Sequence, residues 1–197
     1  APNWRENAVA ELRRAPHGTQ AFINSMSDTF HEDVPLDWIQ RIFGYAASRP
    51  DMPFLILTKR IKRALALSSQ LTWHPNIWLG TSVELQKWTW RIDVLRQVPA
   101  QGKFISFEPL LGPITDADLT GIDGVITGAE SGANRRAFDP AWALGIKALC
   151  ERDGALFFYK QGSHFKPGMN RELDGRTYDD LPWRVRQPAS AGQGVLL

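Results

Sequence analysis

The chain has 197 residues, 43% of them hydrophobic and 22% charged, a composition that excludes a wholly disordered protein and allows one sizeable core. The formal net charge of +2 leaves 23 Lys and Arg nearly balanced by 21 Asp and Glu, so overall charge does not announce a nucleic-acid partner. Cys150 is the only cysteine, which excludes an intramolecular disulfide, a thiolate zinc cage and a set of three thiolates for a cluster.

Residues 3–14 are predicted as a helix, because Trp4, Ala8 and Leu12 recur at i, i+4 and i+8 and Pro16, His17 and Gly18 then stop the pattern. The apolar run 20–24 (QAFIN) breaks into the polar stretch 25–33, as a strand does on entering a loop. Pro35 opens a second helix with Ile39, Ile42, Phe43 and Ala46 on one face. The same unit then recurs. The run 54–57 (FLIL) ends in Thr58, Lys59 and Arg60 before a short helix over 61–68. Residues 77–79 end in Gly80, Thr81 and Ser82, and the next helix aligns Leu85, Trp88, Ile92 and Leu95. Residues 104–107 end in Glu108 and Pro109, followed by a longer irregular connection. Residues 125–127 run into Gly128, Ala129, Glu130, Ser131 and Gly132, and Trp142, Ile146, Leu149 and Cys150 line the helix beyond. The run 156–159 (LFFY) ends in Lys160, Gln161 and Gly162.

These six runs are continuously apolar rather than alternating, the pattern of parallel strands buried on both faces, and helices between them complete βαβ units. An α/β protein follows, either a doubly wound open sheet or a barrel or partial barrel; periodicity leaves both open. Residues 1–187 are read as one domain, with an irregular segment from Gly162 packed over it and a loose tail at 188–197. No run of about 18 apolar residues and no signal-peptide layout appears, so no membrane partner is expected and a reducing, cytoplasmic location is.

In both architectures ligands bind at the carboxyl ends of parallel strands, where loops converge. The candidate binding residues there are Asn24, Ser25, Asp28, Lys59, Arg60, Ser82, Glu84, Glu108, Glu130, Ser131 and Lys160. Three or more carboxylates and two or more cations around one mouth suit a zwitterionic or phosphorylated small molecule. Glu84 also reads as a first-turn helix acid with Ser82 as its N-cap. Glu108 follows a run that is expected to be buried, where an acid needs a partner. Glu130 lies between Gly128 and Gly132, which permit close backbone approach. Asp28, His31, Glu32 and Asp33 match no standard metal spacing, and no metal is assigned. Trp38, Trp88, Trp90 and Trp142 are read as helix packing residues, and Cys150 as a small buried hydrophobe. No catalytic residue is assigned.

Seven blocks occur in a recognisable order: FINSMSDTFHEDVP at 22–35, FLILTKR at 54–60, NIWLGTSVE at 76–84, FISFEPLLGP at 104–113, VITGAESG at 125–132, FFYKQ at 157–161 and LDGRT at 173–177. Together they resemble a bacteriophage and prophage family of radical S-adenosylmethionine-like proteins that is distantly similar to spore photoproduct lyase. The resemblance implies a partial (βα) barrel with about six parallel strands and S-adenosylmethionine bound at the strand ends.

The relatives carry, ahead of a helix matching residues 3–14, a segment with three closely spaced cysteines that ligates a [4Fe–4S] cluster. That segment has no counterpart here, so no cluster is expected in this chain, and the chain alone is expected to be inactive as a radical enzyme. A fragment, half of a split protein and a cluster-free descendant all fit. The functional expectation is a remnant or incomplete S-adenosylmethionine or nucleotide site. A non-catalytic phage protein that binds a host or phage protein partner is the alternative, and a fragment of a nucleic-acid-modifying enzyme is the third reading.

Overall fold

The computed structural model describes residues 4, 6–23, 27–185 and 195–196. Helix α1 (Glu6–Arg14) leads into strand β1 (Ala21–Ile23). Then follow α2 (Leu36–Ser48), β2 (Phe54–Thr58), α3 (Ile61–Leu67), β3 (Ile77–Ser82), α4 (Trp90–Gln97) and β4 (Gly102–Phe107). The chain continues through β5 (Gly124–Gly128), α5 (Pro140–Asp153), β6 (Leu156–Gln161), the short α6 (Pro182–Val185) and β7 (Val195–Leu196).

All pairings in the sheet are parallel, and its order is β6-β5-β4-β3-β2-β1-β7. The six runs identified by their apolar character are thus neighbours in sequence order, and the curled sheet is a half-barrel. The partial (βα) barrel is the observed fold, and the doubly wound sheet is not. Within the segment read as a loose tail, Val195 and Leu196 pair with Ala21 and Phe22; residues 188–194 and 197 lie outside the described residues.

Local chemistry accounts for the helix boundaries. Asp139 caps α5 by accepting from the Ala141 amide at 2.9 Å, Pro140 fills the first helical position, and Gly154 ends the helix in the left-handed region at φ 79°. The last carbonyls of α2 have no basic side chain in their own final turn. Asn76, just before β3, supplies the donor, with Nδ2 at 2.9 Å from the carbonyl oxygen of Ala46. Arg49 closes α1 by donating to the carbonyls of Leu12 at 2.8 Å and Ala15 at 3.1 Å while paired with Asp51. The helix predicted from Leu85 begins only at Trp90, after a 3-10 turn at Gln86–Trp88.

Alternation along each strand separates two cores. Phe54, Ile56, Ile77, Leu79, Ile105, Phe107, Val125 and Phe157 face the helices on the convex side, with Ile39 and Phe43 of α2, Ile92 and Leu95 of α4, and Ile146 and Leu149 of α5. Leu110, Ile114, Leu119 and Ile122 of the 108–123 connection take the place of a helix there. The opposite parity places Leu55, Trp78, Phe104 and Ile126 on the concave side, closed by Leu181 and Trp183. The Trp183 ring meets Trp78 and Phe104 edge-on at centroid distances of 5.6 and 5.2 Å. Of the tryptophans read as packing residues, Trp90 is the exception: it is 36% exposed, with the Lys62 ammonium 4.7 Å above its ring.

Candidate functional site

Because every neighbouring pair is parallel, the carboxyl ends of β1 to β6 share one edge of the half-barrel. Successive concave-facing positions change character toward that edge. The ring of Phe104 gives way to the buried hydroxyls Ser82 and Ser106, and these to Glu84, Glu108 and Lys160. An apolar floor therefore lies beneath a charged rim.

At the β1 and β2 ends, the Asp28 carboxylate accepts from the Phe30 amide (2.9 Å), Thr58 Oγ1 (2.7 Å), the Lys59 amide (3.0 Å) and Arg60 Nη1 (3.1 Å). Arg60 also donates through Nε to Glu32 at 3.0 Å. Four donors occupy Asp28 and two acids hold Arg60, so these two residues tie the loop after β1 to the end of β2. Asn24 and Ser25 lie outside the described residues. Among the described residues no group of three or more His, Cys, Asp or Glu side chains is arranged to hold a metal ion.

Glu84 is buried between two cations. Lys59 Nζ pairs with its Oε1, and Arg91 Nη1 lies 3.2 Å from its Oε2. Arg91 Nη1 also donates to the Ser82 carbonyl at 2.6 Å. The reading of Glu84 as a first-turn acid capped by Ser82 is corrected, because the following turn is preceded by Leu85 and has no side-chain cap. Arg91 is the residue that sequence reasoning missed. It sits three residues after Trp88 and four before Leu95, on the apolar stripe itself, and a cation at such a position needs a buried partner. Its Nε is buried without an acceptor.

Glu108, at the end of the central strand β4 and joined to Pro109 by a cis peptide, is 17% exposed. Burial pushes its carboxyl above the ordinary range, offset by the charge of Lys160 and by hydrogen bonds from Lys160 and Ser106. The Lys160 contact is long, 3.4 Å, and that side chain is 52% exposed. Gly128 makes the seat: a Cβ there would stand 2.6 Å from Glu108 Oε1. Across the rim, Glu130 accepts from the Arg136 amide at 2.9 Å and from its Nε at 2.8 Å, and this guanidinium pulls the Glu130 carboxyl down to about 2. Ser131 bridges to His164 in the loop beyond β6. The structure thus brings Lys59, Ser82, Glu84, Glu108, Glu130, Ser131 and Lys160 to one edge and assigns Asp28 and Arg60 to holding it together.

Such a rim can accept an ammonium at Glu108 and a carboxylate or phosphate at the cations around it. It does not fit an iron–sulfur cluster. The one thiol, Cys150, is 1% exposed between α5 and the convex face, and burial pushes it up to about 12. At the other end of the sheet a cavity of about 380 Å³ is lined by Gln101, Asp123, Asp153, Gly154 and Pro182. No helix of the described residues is long and apolar enough to cross a membrane.

No curated protein and no solved structure matches the chain. The profile of one family, described as "Protein of unknown function (DUF5131)", matches residues 3–182. The chain therefore belongs to the DUF5131 family.

Proposed function

We propose that this chain is a radical S-adenosylmethionine-like half-barrel of phage type whose strand-end rim binds S-adenosylmethionine or a related zwitterionic nucleotide, and that the chain alone holds the ligand without cleaving it. The observation that carries this reading is the seat of Glu108. A carboxylate sunk at the end of the central strand, in space left by Gly128, has one cation partner, which is distant and half-exposed. A buried charge so loosely met is stabilised by a second cation, and a ligand ammonium supplies one. Reductive cleavage of a sulfonium needs an electron from a cluster, and its three thiolates are not in this sequence.

Isothermal titration of S-adenosylmethionine into the wild type and Glu108→Gln tests the reading. Gln keeps the shape and removes the charge, so the variant binds about 1.5–3 kcal/mol more weakly. Absence of heat from the wild type at millimolar ligand, or equal affinities, contradicts it.

A further inference from the structure

A second surface, adjoining the rim but argued without any ligand there, is built from the loops that follow β5 and β6. Ser131 and His164 form a parallel bridge, the Gly132 amide donates to the His164 carbonyl at 3.1 Å, and Arg135 Nε donates to Ser163 Oγ at 3.1 Å. The second loop is closed by the Gly162 amide on the Asn170 carbonyl at 2.9 Å and by Gln161 Oε1, which accepts from the Gly168 amide at 2.7 Å. The two loops therefore form one ordered ledge.

Its composition departs from that of the whole chain. Residues 129–136 and 160–171 contain Arg135, Arg136, Lys160, Lys166 and Arg171 against one acid, Glu130. Arg136 is spent on Glu130, Lys160 on Glu108 and Arg171 on Asp179. Arg135 and Lys166 meet no carboxylate among the described residues. Phe165, beside Lys166 in the chain and two residues from the Ser163 that Arg135 contacts, is the most exposed large hydrophobic side chain described, at 62%, with Met169 nearby in sequence at 43%.

We infer that this ledge is a docking surface for single-stranded nucleic acid, with Phe165 stacking on a base while Arg135 and Lys166 hold flanking phosphates. A projecting aromatic ring flanked by unpaired cations is the arrangement that binds single strands without reading sequence. An acidic peptide would take the same cations, but an apolar anchor needs a groove, and Phe165 protrudes.

Fluorescence anisotropy with a labelled oligodeoxythymidylate of about 12 nucleotides, within the usual site size, tests the inference. Saturable binding is expected at low salt. Phe165→Ala and Phe165→Leu weaken it about tenfold or more, since one base stack is lost and leucine offers no π-face. Lys166→Glu weakens it and makes the slope of log affinity against log salt shallower by about 0.7, one single-strand phosphate contact. Lys62→Glu on α3 has the same charge change and leaves binding near wild type. Melting curves confirm that each variant is folded. No saturable binding, unchanged affinity in Phe165→Leu, or a polyglutamate peptide that competes as well as the oligonucleotide would overturn the inference, the last in favour of an acidic protein partner. Loss of the Glu108 ligand site would leave this result untouched.

Discussion

The two faces of the half-barrel are made from the same strands and differ in almost everything else. The convex face meets α2, α3, α4, α5 and the 108–123 connection through aliphatic and aromatic side chains that are nearly all buried. Among the described residues the concave face has no such helix layer. Its lower part is filled by Trp183 from the C-terminal segment, and its upper part ends in hydroxyls and charges. One face therefore supplies stability and the other carries the proposed binding site, and alternate residues of a single strand serve both. On β4, Ile105 and Phe107 face the helices while Phe104 and Ser106 lead up to Glu108.

That division is broken most severely from the convex side. Phe54→Ala removes a fully buried ring and is expected to cost about 3–5 kcal/mol in urea denaturation, while the fraction that remains folded binds ligand as the wild type does. Altered affinity in folded Phe54→Ala would show that the faces are not separable. On the concave side, Gly80→Val drives a side chain into the ring of Phe104, which lies 2.4 Å from where a Cβ would stand. A loss of about 1–3 kcal/mol is expected in urea denaturation. Gly128→Ala is milder for stability, about 1 kcal/mol, since the atom it meets is the mobile end of Glu108. Calorimetric titration should nevertheless show ligand binding falling as far as in Glu108→Gln, because the carboxylate is displaced.

The smallest effects are those of pH, and here two rim acids oppose each other. The Glu108 carboxyl is raised by burial, so the folded state favours its protonated form; that stability is complete below the ordinary carboxylate range and is lost as pH rises through the folded value. Glu130 is lowered from 4.5 to about 2 by Arg136, so its contribution is complete above 4.5 and is lost as pH falls toward about 2. Melting temperatures against pH should lose the first slope in Glu108→Gln and the second in Glu130→Gln. The second effect is the weaker, because Arg136 is largely solvated.

The strands were legible in the sequence because a parallel strand covered on both sides must be apolar at consecutive positions, and the rim was legible because polarity returns where each strand ends. The partners of the rim acids were not. Lys59, read as a ligand cation, turns to Glu84, and Arg91 joins it from a helix seven residues further on. Gly128 as the seat of Glu108 depends on the register between β4 and β5, which no single strand encodes. Trp183 escaped attention because it follows a long polar stretch, although Leu181 and Pro182 before it mark a return to apolar sequence and a helix start.

The most direct test of the central claim, that the concave strand-end rim is the ligand site, is amide chemical-shift mapping of the labelled chain during a titration with S-adenosylmethionine. Saturable shifts confined to Lys59, Ser82, Glu84, Glu108, Gly128 and Lys160 are the predicted result. Shifts clustered instead around Gln101, Asp123 and Gly154, where the cavity of about 380 Å³ opens at the opposite end of the sheet, or no shifts at millimolar ligand, would contradict it.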